Sequence, residues 1–133
     1  MSEKSILVVG ALLAGLAVAL GAYGAHGLEG QLRRMGHEPN IAQRLAWFDT
    51  AVRYQLYHAL ALVVVAALPE RLAGAWSRGA AGLFIAGIAL FGGSLYAMTF
   101  LGDAWKRLGA ITPLGGLAFI AGWAALAVGA WRR

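Results

Sequence analysis

The chain contains no cysteine. Disulfides, thiolate metal sites and cysteine nucleophiles are therefore excluded. Charge is also scarce: Asp, Glu, Lys and Arg together make up 13% of the 133 residues, about half the roughly 25% usual in a soluble domain. No carboxylate pair falls inside the long apolar runs, and there is neither a Gly-x-Ser-x-Gly elbow nor a phosphate-binding glycine loop set between strand and helix. No catalytic constellation is present. What fills the space is apolar: 60% of residues, with a mean hydropathy of +0.68. Apolar residues concentrated in long blocks point to lipid-facing helices. The formal charge of +5 sits at the ends of those blocks, where cations act as interfacial anchors and topology signals. There is no basic run or fold signature for nucleic acid. The 19 glycines suit helices that approach closely within a membrane.

Length and patterning predict a single all-α domain over residues 1–133, an integral membrane four-helix bundle. The spans are expected at about 5–25, 51–68, 77–101 and 112–131. The first apolar run is longer than the core of a typical signal peptide, so it is read as a retained helix. Leu28, Leu32 and Met35 recur at i, i+4 and i+7 ahead of Gly36, the pattern of a short amphipathic helix on the membrane surface. Asn40 with Gln43 fits a capping box. Ile41, Leu45, Phe48 and Val52 then repeat at helical spacing, so the second long helix should extend back to about residue 40. Its first third is expected at the headgroups, with Trp47 in the aromatic belt. Ser77 is the expected cap of the third span, within which Gly92-Gly93-Ser94 is the weakest point. Gly102 to Gly109 reads as a loop, and Thr112-Pro113 as the start of the last span.

Four spans put both termini on one side. That side carries Lys4, Arg71, Arg78, Arg132 and Arg133; the other carries Arg33, Arg34, Arg44, Arg53, Lys106 and Arg107. Arg132-Arg133 abut a span directly, which favours cytoplasmic termini.

The polar residues are unevenly placed. His26 closes the first span; Arg53, Tyr54, Gln55 and His58 open the second; Ser94 and Tyr96 lie in the last turns of the third; Thr112 starts the fourth. Alternating directions bring all of them towards one leaflet. Intramembrane ionisable groups usually face a bundle interior or a cavity, so these residues are the candidate binding site for a ligand or partner. Equally, they could hydrogen-bond one another and cap helices. Asp49 and Asp103 are the expected partners of Arg53 and Lys106. His26 and His58 raise the question of haem, since neutral imidazole is a common ligand, and a quinone is the other redox candidate. The carboxylate and thiolate ligands of a mixed metal site are missing, and no metal or cofactor is assigned.

Four blocks carry a resemblance: Gly21-Ala22-Tyr23-Gly24-Ala25-His26-Gly27-Leu28, Thr50-Ala51-Val52-Arg53-Tyr54-Gln55-Leu56-Tyr57-His58-Ala59-Leu60-Ala61, Phe91-Gly92-Gly93-Ser94-Leu95-Tyr96 and Ile111-Thr112-Pro113-Leu114-Gly115-Gly116. In this order they resemble domain-of-unknown-function family 423, small four-span membrane proteins of bacteria that are similar to the transmembrane protein 256 group of eukaryotes. The resemblance implies four helices and a place in the bacterial cytoplasmic (inner) membrane; it implies no activity.

Three functions fit these residues. The first is a non-enzymatic accessory or scaffold protein that binds a partner membrane protein or a lipid through the polar cluster. The second is a small-solute carrier or channel acting as a homo-oligomer. The third is a haem- or quinone-binding redox protein using His26 and His58.

Overall fold

In the computed structural model, which describes residues 1–69, 72, 74–101 and 103–132, the chain is all-helical and no strand occurs among those residues. Helix α1 spans Glu3–His26 and begins where the Ser2 hydroxyl accepts from the Ser5 amide at 3.1 Å, satisfying one of the free N–H groups of its first turn. After Gly27, α2 runs over Leu28–Arg34. Leu28 and Leu32 are buried against Phe48, but Met35 is exposed, so the expected apolar stripe is one residue shorter than its spacing suggested. Gly36, at φ +78°, ends the helix, and the His37 amide reaches back to the Leu32 carbonyl at 3.0 Å. This is a Schellman closure, in which glycine takes the left-handed position without steric cost. Outside the bundle, Arg33 bridges Glu29 and Glu38, each at 2.7 Å. The hydrogen bond to Glu29, then that to Glu38, raises the guanidinium pKa further.

A 3-10 turn at Glu38–Asn40 leads into α3, Ile41–Ala66. The Asn40 side chain does not cap α3; it accepts from Arg44 Nε at 2.9 Å, which replaces the expected capping box. The buried stripe of α3 is Arg44, Phe48, Ala51, Gln55, His58, Leu62 and Val65, an unbroken alternation of four and three, the spacing of a helix buried along one seam. It is rotated from the stripe expected through Ile41, Leu45 and Val52, which are only half-buried. The reason is that α3 packs along its whole length. Arg44 meets the end of the third helical rod, Gln55 meets Leu13, and Leu62 meets Gly10. Its first third is therefore level with the other helix ends, and Trp47 is half-buried against Ala51, Leu95 and Met98.

The third rod is continuous but not uniform. Helix α4, Ala75–Gly87, passes through a π-helical turn at Ile88–Gly92 into α5, Gly93–Phe100. It starts two residues before the expected cap: Ser77 lies in its first turn, where its Oγ accepts from the Gly74 amide at 2.8 Å and donates to the Gly74 carbonyl at 2.9 Å. The expected third loop is a 3-10 segment, Asp103–Ala110, and the proposed Asp103–Lys106 pairing lies outside the described side chains. Helix α6 spans Thr112–Trp131. Its N-cap is Ile111, and Thr112 spends its hydroxyl on Ser94 instead of on the helix end.

Gly115, Gly122 and Gly129, seven apart on α6, are all buried. A Cβ on Gly122 would come within 2.6 Å of the Phe84 ring, one on Gly129 within 2.7 Å of Trp76 Cβ, and one on Gly115 would strike the Phe91 backbone. The reverse fit occurs at Gly87, whose missing Cβ makes room for Phe119. Three helices, Glu3–His26, Ala75–Phe100 and Arg107–Trp131, are long and apolar enough to cross a membrane. Helix α3 matches them in length, but Arg44, Asp49, Arg53, Gln55 and His58 dilute its apolar run. Of the four expected apolar spans, three are thus helices long and apolar enough to cross a membrane, and the fourth, α3, is more polar.

Candidate functional site

The polar residues of α3 face different neighbours. His58 is 6% exposed. Its Nδ1 lies 2.8 Å from the Tyr54 carbonyl, and its Nε2 lies 3.2 Å from Trp123 Nε1. An indole N–H can only donate, so Nε2 accepts and Nδ1 carries the proton. The imidazole is neutral, with both nitrogens engaged. Its ring stacks on Phe119 at 3.5 Å and 11°. Trp123 itself is 51% exposed on the outer face, where in lipid its N–H would find no water. Gln55, also buried, links three helices: Nε2 donates to the Leu13 carbonyl and Oε1 accepts from Tyr96 O–H, both at 2.9 Å. Ser94 donates to the Phe91 carbonyl at 3.0 Å, so the 2.7 Å contact between Ser94 and Thr112 uses the Thr112 proton. That pair ties α5 to α6 just after the π turn, whose widened ladder leaves carbonyls available.

The expected single cluster therefore resolves into separate links at different depths. Trp123 is eleven residues beyond Thr112, about 16 Å further along α6, so His58 sits near mid-bundle. Gln55 is similarly deep, since Leu13 lies at the middle of α1. Of the predicted residues, His26, Ser94 and Thr112 stay near one end; Arg53 starts at the middle of α3 and its guanidinium reaches back towards that end to Asp49.

Two residues at that end carry roles that were not anticipated. Arg44 is 2% exposed and has no carboxylate partner among the described residues. Its Nη1 reaches the carbonyls of Met98, Thr99 and Leu101 at 2.9, 2.7 and 2.8 Å. The His37 ring nitrogen meets the Phe100 carbonyl at 3.2 Å. Together they satisfy the free carbonyls at the C-terminal, negative end of α5. The sequence signal was available: Arg44 falls in step with Phe48, Ala51 and Gln55.

The remaining predicted residues face outward. His26 is exposed at the end of α1. Arg53 pairs with Asp49 at 2.8 Å, as expected, with both side chains more than half exposed. Tyr54 is 41% exposed but leans on Phe91, with ring centroids 4.7 Å apart. Beside the ion pair, a groove of about 270 Å³ opens between α1 and α3, walled by Gly21, Gly24, Ala25, Leu45, Phe48 and Val52, with Asp49 on its rim. No group of three His, Asp or Glu residues able to hold a metal occurs among the described residues.

The family model described as "Protein of unknown function (DUF423)" matches residues 20–116. The chain belongs to this family. The match spans all four signature blocks, including the α1 end, the polar stripe of α3, the π turn and the start of α6. Among the family's members, the chain is similar to the UPF0382 membrane protein YwdK of Bacillus subtilis, at 48% identity over 96% of both chains. It is similar to the UPF0382 inner membrane protein YgdD of Escherichia coli K12, at 36% identity over 99% of this chain and 93% of that one. A UPF0382 membrane protein of Haemophilus influenzae is 38% identical over 99% of this chain and 97% of its own length. No solved structure matches the chain. These names state a location and no activity, and the three apolar helices agree with that location.

Proposed function

We propose that this DUF423 member is a multi-pass protein of the bacterial cytoplasmic membrane, spanning it four times, and that it acts without catalysis as an accessory protein receiving a membrane-borne ligand, a lipid or another membrane protein, at the end that holds His26, Asp49 and Arg53. One observation carries this reading: the polar side chains Gln55, His58, Tyr96, Ser94 and Thr112 are matched to internal partners, while Asp49, on the rim of the α1–α3 groove, shares an exposed ion pair with Arg53. Satisfied mid-bundle groups also explain how α3 could cross the membrane: its polar atoms bond to flanking helices, and its Arg44 guanidinium is hydrogen-bonded by helix-end carbonyls. That assignment bears on orientation. With Arg44 buried, Arg33, Arg34, Arg53, Lys106 and Arg107 remain on that side, five against the five basic residues on the side of the termini, so the position of Arg132-Arg133 directly against the last span is what supports cytoplasmic termini.

A conduit for solute would need unpaired polar groups along a path, and the paired groups argue against it. Haem ligation by His58 would require Trp123 to give up its acceptor and the imidazole to leave its Phe119 stack. The test is native mass spectrometry of protein extracted gently from its own membrane. Extra mass lost on substitution of Arg53 supports the reading. A bare chain, or adducts indifferent to Asp49, Arg53 and the groove, would overturn it.

A further inference from the structure

We propose that α4 and α6 move as one unit against α1, α3 and α5, pivoting at the π turn, and that the hydrogen bond from Trp123 to His58 is the latch that holds the α3–α6 side of the bundle shut against the lipid. This goes beyond the reading of the end that holds His26 and Asp49, and does not depend on it.

Three observations carry it. The first is a change of partner along the third rod. Before the π turn the rod packs on α6: Phe84 meets Gly122, Trp76 meets Gly129, and Gly87 makes room for Phe119. At the far end the Arg132 guanidinium lies over the Trp76 ring at 5.4 Å, a cation–π contact that fastens the same two helices. After the turn the rod belongs to α3. Tyr96 bonds Gln55, Arg44 holds the carbonyls of Met98, Thr99 and Leu101, and Leu95 and Met98 pack with Ala51. The π turn at Ile88–Gly92 falls where the rod passes from one unit to the other, and such a turn is a point at which a helix bends.

The second is the distribution of polar links. Among the described residues, two side-chain hydrogen bonds join the α4–α6 unit to the rest. One, between Ser94 and Thr112, lies just past the π turn, where Gly115 also lets α6 rest on the Phe91 backbone. A bond at the pivot hardly lengthens as the unit turns. The other, from Trp123 to His58, lies about 16 Å further along α6 and must break. The backbones of α3 and α6 scarcely meet beside it. What fills the space is the flat stack of His58 on Phe119, and flat rings can slide. Trp123 is half-exposed, so its indole can turn outward without displacing a core residue. Where α4 lies against α3, the shared core holds Ala61, Ala80 and Ala81, short side chains that interlock little and allow shear.

The third is a groove already open beside the latch. It encloses about 160 Å³ between Val64, Val65 and Leu68 of α3 and Leu126, Gly129 and Ala130 of α6. It starts one turn past Trp123, towards the termini. Breaking the latch would extend it to the middle of the bundle and turn the freed His58 Nε2, an acceptor, towards hydrocarbon.

Because the chain has no cysteine, spin labels can be placed on introduced thiols alone. Val64→Cys and Ala130→Cys put a pair on opposite walls of the groove, both at exposed positions. Gly82→Cys and Ala121→Cys, also exposed, put a control pair within the α4–α6 unit. Distances are measured by pulsed electron spin resonance in lipid nanodiscs, with the latch intact and with Trp123→Phe, which keeps a ring and removes the N–H. The expected result is a main distance across the groove and a longer component, whose share rises about threefold in Trp123→Phe, the scale of one interhelical hydrogen bond in a membrane. The control pair stays unchanged. Thr112→Val, which removes the bond at the pivot, leaves the cross-groove distances as they are. An unchanged cross-groove distribution in Trp123→Phe would overturn the latch. Equal broadening of the control pair would mean general loosening and overturn the rigid unit. A response to Thr112→Val as large as that to Trp123→Phe would overturn the pivot. The wild type supplies a second check: a cross-groove distribution no wider than that of the control pair, at rest and on warming, would overturn the motion whether or not the variant folds.

Discussion

Along α6, three glycines spaced by seven receive Phe91, Phe84 and Trp76 from the preceding rod. Along α1, the approach to α3 relies on two tight glycines, Gly10 against Leu62 and Ala59 and Gly24 against the more yielding edge of the Phe48 ring, and on a hydrogen bond from Gln55 to the Leu13 carbonyl. Lipid tails are as apolar as leucine, so burying hydrocarbon does little to hold membrane helices together; shape and hydrogen bonds must do it. The α4–α6 seam uses shape, and the α1–α3 seam adds a polar link. A shape-fitted seam should be brittle to added volume and insensitive to polarity. A polar seam should show the opposite response.

The largest effect is expected at Gly115, where valine must displace the Phe91 backbone; overpacking of this kind costs about 3 kcal/mol or more. Gly15→Val, which has nothing within 4 Å, should be neutral, and the contrast is read from unfolding midpoints in mild detergent. Next comes His58→Ala, which removes a stacked ring and leaves the Trp123 N–H unpaired, for a loss of about 2–3 kcal/mol. His37→Ala, which removes one 3.2 Å helix-end contact, should cost clearly less; equal midpoints would show that the mid-bundle position of His58 confers nothing. Gln55→Leu keeps the volume but strands the Tyr96 hydroxyl, and should cost about 1–2 kcal/mol. Ser94→Ala should be the mildest, about 0.6 kcal/mol, the mean for an interhelical hydrogen bond in a membrane. If Gln55→Leu proved as damaging as Gly115→Val, the contrast between the seams would fail.

Much of this was legible in the chain. Apolar runs bounded by Pro69 and Pro113 located the rods within a few residues, and Gly36 marked the end of α2. The Asp49–Arg53 pair followed from i, i+4 spacing. The depth of His58 was misjudged because Arg53 and Tyr54 look interfacial, and nothing local says that α3 lies alongside its neighbours from its first turn. Arg44 was counted as a topology signal because basic residues near helix ends usually are; its burial depends on α5 ending opposite it, a fact of tertiary alignment. Thr112 was assigned to its own helix end because capping is local, yet Ser94 on another rod claims its proton. The partnership of Trp123 with His58 leaves no trace in spacing, since 65 residues separate them.

That separation also has a meaning in time. At a synthesis rate of about 5–20 residues per second, Trp123 emerges roughly 3–13 seconds after His58. Throughout that interval the imidazole of α3 lacks its final donor, and Gln55 has met only the helix made before it. The least apolar of the long helices therefore completes its polar pairing only when the last one has been made. Order of synthesis, as much as hydropathy, decides when the side chains of α3 are satisfied, with α6 acting as its latch.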